Sequence, residues 1–295
     1  SIHSALNHLG KKGLRVPVPV RNLEGNTWKL ETVPLLNEEK ESCERKKCAI
    51  HLLTFLTGIP LQQLKITCDI LFQWGSLLAQ FHNATEDLEC QVLKNKPILY
   101  SLEHMLDIKQ YMKVLPDEHY KFILDFLNKY ESEIIKCYKE LPKGFLHGDF
   151  NDLNILAREK SPEPNNRMFV IDVILDFEDM HYGNYVWDIG LMLTHVLMGQ
   201  HDVDVLEAVG HALAGYLSRR SLSDMELSFL KMCIECRFVQ SWVACVYSAT
   251  LDPNNPYVSK SSQSDIKYKM LQQLSEISNE ELQKKWQNIF QLYSK

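Results

Sequence analysis

The chain has 295 residues, 45 % of them apolar and 24 % charged, with 32 basic against 38 acidic side chains and a net charge of -6. That length and balance fit a globular protein burying a real core in one large domain or two unequal lobes. A mild negative charge provides no general field for nucleic acid or for an acidic membrane surface, so an anionic ligand would need a local cationic site.

In chain order, residues 1–10 read as the end of a helix closing near Gly10 and Gly13, and Arg15–Val20 as an extended, proline-rich segment. Trp28–Val33 reads as a strand, 37–47 as a charge-rich loop, Ala49–Leu56 as β-prone, and Thr57–Pro60 as a turn. Beyond Pro60 the pattern becomes helical. Ile70, Leu71, Trp74, Leu77, Leu78 and Phe81 recur at helical spacing up to Ala84, and residues 117–140 repeat the pattern. Gly144–Asp179 is β-rich, with a polar turn at Ser161–Arg167. Helices are predicted near 185–199, 203–219, 223–248 and 264–293, the last an amphipathic pair covering the large lobe. The boundary between lobes is predicted near residues 57–62.

The eight cysteines show no framework spacing, and Cys233-Ile-Glu-Cys236 lies in mid-helix without a second metal-binding pair, so reduced core thiols and a cytoplasmic location are expected. No apolar run approaches the ~18 residues that span a bilayer. The first residues carry neither a signal-peptide layout nor an initiator Met, which reads as a fragment. His181, His195 and His211 stand isolated, with no zinc-binding His-Glu-x-x-His pattern.

Chemistry concentrates in two segments. In Phe145-Leu-His-Gly-Asp-Phe-Asn-Asp-Leu-Asn-Ile-Leu156, Asn154 follows Asp149 by five positions between apolar runs. A strand-loop-strand of this kind brings an acid and an amide to one edge. In Val173-Ile-Leu-Asp-Phe-Glu-Asp179 an apolar strand ends in carboxylates. This spacing is the layout phosphoryl transfer uses, where the protein orients a hydroxyl and neutralises phosphate charge. Mg²⁺ takes one or two carboxylates and completes its octahedron with phosphate and water. Asp176 would give it a carboxylate, Asn154 an amide oxygen, and Asp149 would receive the acceptor proton. His147 is expected to hold the loop in shape. Each residue alone is also a common turn residue, because Asp and Asn bond the nearby backbone.

These residues resemble the aminoglycoside/choline phosphotransferase family, small-molecule relatives of protein kinases, over most of the chain from Ala49 onward. Ile50–Pro60 is similar to the family's hinge, which implies that Leu53, Thr54, Phe55 and Leu56 carry the nucleotide base. Trp74–His82 is similar to the first large-lobe helix, and Asp176–Asp188 to the metal strand and the helix start after it. The implied fold is α+β, protein-kinase-like and two-lobed: a truncated small α/β N-lobe and hinge at 1–58, and a large, mainly helical C-lobe at 59–295.

The catalytic-loop and metal-strand segments, together with Cys236-Arg-Phe-Val-Gln-Ser241, are most similar to the branch of the family that acts on 5-hydroxylysine. That implies transfer of the γ-phosphate of GTP (or ATP) to the hydroxyl of 5-hydroxy-L-lysine with Mg²⁺, in lysine degradation, by a protein whose partners are nucleotide and small substrate rather than nucleic acid or membrane. Glu178, Asp179 and Asp188 are positioned to meet the substrate's ammonium groups, and Tyr182 and Tyr185 to line its pocket or simply to pack. Arg237 would clamp the substrate carboxylate or pair with an internal acid. Asp188 is also placed to support the loop with His147, or to cap a helix starting at Ile189. The family's glycine-rich phosphate loop and strand lysine precede the helix seen at 1–10, and no Gly-x4-Gly-Lys occurs among the 12 glycines. A catalytically silent kinase-like binding module, or a kinase for choline, another amino alcohol or an aminoglycoside-like substrate, therefore stands open beside the first reading.

Overall fold

The structure is a computed structural model that describes residues 1–34, 45–98, 101–133, 137–160, 168–255 and 264–293. Helix α1 (Ile2–Lys11) turns Ala5, Leu6 and Leu9 inward and ends before Gly13, whose φ of +88° only glycine adopts at no cost. Short antiparallel pairs follow: β1 (Pro19–Val20) with β4 (Leu52–Leu53), and β2 (Lys29–Pro34) with β3 (Arg45–Ile50). The charge-rich loop predicted at 37–47 lies partly outside the described residues, but Arg45–Lys47 open β3. This sheet is exposed on both faces, so a run of cations can pair as strand without being buried. The predicted turn at Thr57–Pro60 contains β5 (Ile59–Pro60), the edge of a three-stranded sheet with β7 (Ile155–Glu159) and β8 (Phe169–Ile174). The polar turn predicted at 161–167 lies outside the described residues.

The expected strand-loop-strand is present, running from β6 (Lys143–Leu146) through the loop to β7, although its two strands belong to different sheets. Strand β6 pairs with β9 (His181–Asn184), not with β7. The loop between β6 and β7 spends its backbone N–H groups on side chains, so the chain leaves one small sheet and joins another. The segment from Phe145 to Leu156 therefore bridges two sheets.

The rest is helical. Helix α2 (Cys68–Ala84) is capped by Thr67, whose hydroxyl accepts the Ile70 N–H at 3.3 Å. Between it and α4 (Asp117–Glu133), whose predicted extension to 140 falls partly outside the described residues, lie the short α3 (Gln91–Lys94) and a 3₁₀ stretch at Leu102–Val114. Then come α5 (Tyr185–Met198), α6 (Val205–Leu217) and α7 (Asp224–Leu251). Helix α7 starts with a reciprocal capping box between Ser223 and Glu226. The predicted 264–293 run resolves into α8 (Ser264–Glu276) and α9 (Asn279–Leu292), broken where Ser278 caps the second helix. Trp286 of α9 and Leu271 and Leu274 of α8 are buried against the helical core.

Helices α2 and α6 cross almost backbone to backbone. A Cβ on Gly75 would stand 1.8 Å from the Ala212 carbonyl oxygen, and one on Gly215 would stand 1.8 Å from that of Phe72. Each clash is with rigid helix backbone, so the helices must separate to admit a methyl. Gly75→Ala or Gly215→Ala should cost about 1–3 kcal/mol or more. Urea unfolding measures it, and an unchanged midpoint would refute the close crossing.

Candidate active site

Strand β6 delivers Phe145 and Leu146 into the core and then turns at His147-Gly148-Asp149. Gly148 has φ +84°, and a Cβ there would lie 2.4 Å from the Asp179 carbonyl oxygen, so the turn requires glycine. The same close approach lays the segment that follows β8 against the His147–Asp149 turn.

Asp188, in the first turn of α5, accepts the His147 N–H at 2.7 Å and the Gly148 N–H at 2.9 Å. It is not an N-cap. Asn184 holds that position, and α5 begins at Tyr185 because β9 runs directly into it. Burial pushes the Asp188 carboxyl up, but the hydrogen bonds from His82 and His147, with their nearby imidazoles, outweigh burial and hold it below the ordinary carboxylate value. His147 is fully buried, and burial lowers its pKa, so its imidazole is neutral at pH 7. Its Nε2 donates to the Leu175 carbonyl at 2.9 Å and its Nδ1 accepts the Asp149 N–H at 3.3 Å. One ring thus ties the loop to the residue before Asp176. Phe81, Phe150 and Phe177 enclose it.

Asn151 shapes the next turn: its Oδ1 accepts the N–H groups of Leu153 and Asn154 at 2.9 and 3.0 Å. Asn154 then donates from Nδ2 to both the carbonyl and the Oδ2 of Asp149, each at 2.9 Å. Those two bonds fix which end of the amide is nitrogen, and turn its oxygen away from Asp149. The Asn154 carbonyl accepts the Leu175 N–H at 2.8 Å, which sets Asp176 beside it. Asp176 is exposed, takes a left-handed φ of +57°, and accepts the Glu178 N–H at 3.3 Å. Positive φ is uncommon outside glycine and is tolerated by Asp. An amide oxygen and a carboxylate at adjacent positions are hard oxygen donors of the kind Mg²⁺ takes when phosphate and water fill its remaining places, so the residues fit that ion. Among the described residues there is no group of three or more His, Cys, Asp or Glu able to hold a metal.

Arg237 of α7 points at the same loop. Its Nη2 lies 3.9 Å from Asp149 Oδ1, and its Nη1 donates to Gln240 Oε1 at 2.8 Å. Glu178 is exposed and Asp179 half-buried, and the Asp179 carbonyl accepts from His181 Nδ1 at 2.8 Å. Tyr182, half-exposed, packs edge-on against Phe145 with Lys94 5.6 Å above its ring, whereas Tyr185 is buried. Of residues 53–56, Leu53 pairs with Pro19, Thr54 hydrogen-bonds Val18 through both N–H and hydroxyl, Phe55 is 90 % exposed and Leu56 half-buried. His195 and His211, isolated in the sequence, are paired in the fold with Asp152 and Tyr293. Cys233 and Cys236 are fully buried, and burial pushes both thiols up. The sequence reading missed His82, Asn151 and Gln240. The one available signal was a polar residue, His82, next to Phe81 at the end of an apolar helix face.

The family model described as "Phosphotransferase enzyme family" matches residues 1–222. Hydroxylysine kinase of Xenopus laevis is 29 % identical over 290 residues, covering 96 % of this chain and 75 % of that protein. Hydroxylysine kinase of Mus musculus is 26 % identical over 246 residues, and the match covers 82 % of this chain and 64 % of the mouse protein, just under two thirds of its length. Among solved structures, the fold is similar to an amicoumacin kinase in complex with AMP-PNP, Ca²⁺ and Ami (TM-score 0.62, 15 % identity, 92 % of this chain and 77 % of that one). It is also similar to a choline kinase from Cryptosporidium parvum (TM-score 0.58, 14 % identity, 98 % of this chain and 79 % of that one).

The buried imidazoles make stability depend on pH. His82 and His147 both have folded pKa values lowered by burial, while the unfolded residues titrate near about 6.5. Below that pH the unfolded chain binds more protons than the native one, so stability is complete above about pH 6.5 and falls as pH drops through it. Thermal melts from pH 7.5 to 5.5 should show a falling Tm; a flat profile would mean that these rings are not buried neutral.

Proposed function

The chain belongs to the phosphotransferase enzyme family, and from that premise we propose that it transfers the γ-phosphate of GTP to the side-chain hydroxyl of 5-hydroxy-L-lysine. The observation that carries this reading is the shared position of Asp149. Its carboxylate is braced by the Asn154 amide at 2.9 Å and flanked by the Arg237 guanidinium at 3.9 Å. The naming of the Xenopus and mouse relatives supports the same acceptor.

In this reading Asp149 orients the acceptor hydroxyl and takes its proton as the phosphoryl group arrives. Asn154 holds the carboxylate in a single rotamer, so little ordering remains to be done in the transition state. Asn154 Oδ1 and Asp176 would hold Mg²⁺, which when bound neutralises charge on the phosphate oxygens. Arg237 faces the substrate carboxylate, and Glu178 and Asp179 face its ammonium groups. Residues 53–56 would carry the base of the nucleotide, GTP or ATP. The free thiols of the described cysteines suit a reducing, cytoplasmic setting.

A mass-spectrometric screen of amino acids and amino alcohols, with GTP or ATP and Mg²⁺ and the full-length protein, tests the assignment. Phosphorylated 5-hydroxylysine is expected, with Asp149→Asn lowering kcat by about 10²–10⁴-fold. Phosphorylation of choline alone, or of nothing, refutes the acceptor. Arg237→Ala should raise KM for 5-hydroxylysine by about ten-fold or more, the loss of a charge-assisted hydrogen bond, while KM for GTP stays constant. Equal effects on both KM values would remove Arg237 from the acceptor site.

A further inference from the structure

The carboxylate that holds the catalytic loop is itself held. His82, near the end of α2, sets Nε2 3.1 Å from Asp188 Oδ2, and Tyr216, near the end of α6, sets its hydroxyl 2.9 Å from His82 Nδ1. His82 and Tyr216 are both 0 % exposed. A carboxylate can only accept, so His82 Nε2 carries hydrogen. The neutral ring then presents a lone pair at Nδ1, and the Tyr216 O–H is the donor that meets it. Burial lowers the His82 pKa and raises that of Tyr216, so the imidazole is neutral and the phenol keeps its proton. The Tyr185 ring lies 4.6 Å from that of His82, and the Arg220 guanidinium 4.2 Å from the Tyr185 ring, which sets positive charge against any proton arriving on His82. Each hydrogen in the line is assigned by its neighbour.

We propose that His82 and Tyr216 are positioning residues for phosphoryl transfer: Tyr216 selects the His82 tautomer, His82 fixes the rotamer of Asp188, and Asp188 thereby sets the aim of Asp149. The proposal rests on the phosphotransferase reading above. Packing alone does not account for the arrangement, since an apolar side chain at either position would fill the space without burying polar atoms. The catalytic loop has no ladder partner at His147 and Gly148, so a swing of the Asp188 carboxylate moves the turn on which Asp149 stands.

Tyr216→Phe removes one oxygen and keeps the ring, His82→Leu removes both nitrogens, and His82→Gln keeps a donor for Asp188. Tyr216→Phe and His82→Leu should lower kcat by about 10–100-fold, with KM for GTP within two-fold of wild type, and His82→Gln should recover part of the loss. Nitrogen-15 NMR of the imidazoles gives a second readout. Wild-type His82 should be a pure Nε2–H tautomer at neutral pH, and Tyr216→Phe should leave a mixture. Wild-type kcat in Tyr216→Phe overturns the proposal, as does a joint fall of kcat, nucleotide affinity and Tm in His82→Leu that His82→Gln does not rescue. The NMR arm is independent of turnover. A wild-type protein that transfers no phosphate defeats the activity reading, whereas a His82 found as Nδ1–H or doubly protonated overturns the positioning role by itself.

Discussion

The two hydrogen bonds from the His147 and Gly148 N–H groups to the Asp188 carboxylate are the contact on which the candidate site depends. A buried carboxylate is costly unless its oxygens are matched by donors, and here both oxygens are. Oδ1 takes Gly148, and Oδ2 takes His147 and His82. Because these donors come from a loop and from α2 while the acceptor comes from α5, no member can relax without exposing a buried charge to an apolar core. The arrangement therefore holds three elements at one point, with the Asp149 turn on its solvent side.

From that point the geometry passes to the second segment through His147. Its ring accepts from Asp149 and donates to Leu175, so the loop and the end of β8 move together. Asn154 repeats the link one turn later, donating to Asp149 through its side chain and accepting from Leu175 through its backbone. Two segments that belong to different small sheets are thus set in register by hydrogen bonds that belong to neither sheet.

The helical scaffold is fitted to the same purpose. Tyr216 follows Gly215, and His82 lies two turns beyond Gly75, so the two glycines that let α2 and α6 touch also bring the phenol within 2.9 Å of the imidazole. A wider crossing would leave a donor and an acceptor facing an apolar gap. Arg237 of α7 reaches Asp149 in the loop and is held by Gln240, one turn further along the same helix.

Much of this was legible in the residues. The 3.6-residue apolar period located α2, α4, α5, α6 and α7, since a helix that buries one face must repeat at that spacing. The five-residue interval from Asp149 to Asn154 pointed to an acid and an amide meeting in one turn, because such an interval spans a single tight loop. The partner of each short strand was not legible. Pairing of four- to six-residue strands is decided by which backbone groups the neighbouring side chains have already taken, and local sequence carries no record of that. His82, Tyr216 and Arg237 lie 106, 28 and 49 residues from Asp188 along the chain; for His82 the separation is that of its hydrogen bond. The sequence by itself determined the helices, the residue types of the candidate site and their spacing. Only the tertiary structure decided which buried polar group satisfies which, because that pairing is set by the close packing of helices distant in the chain.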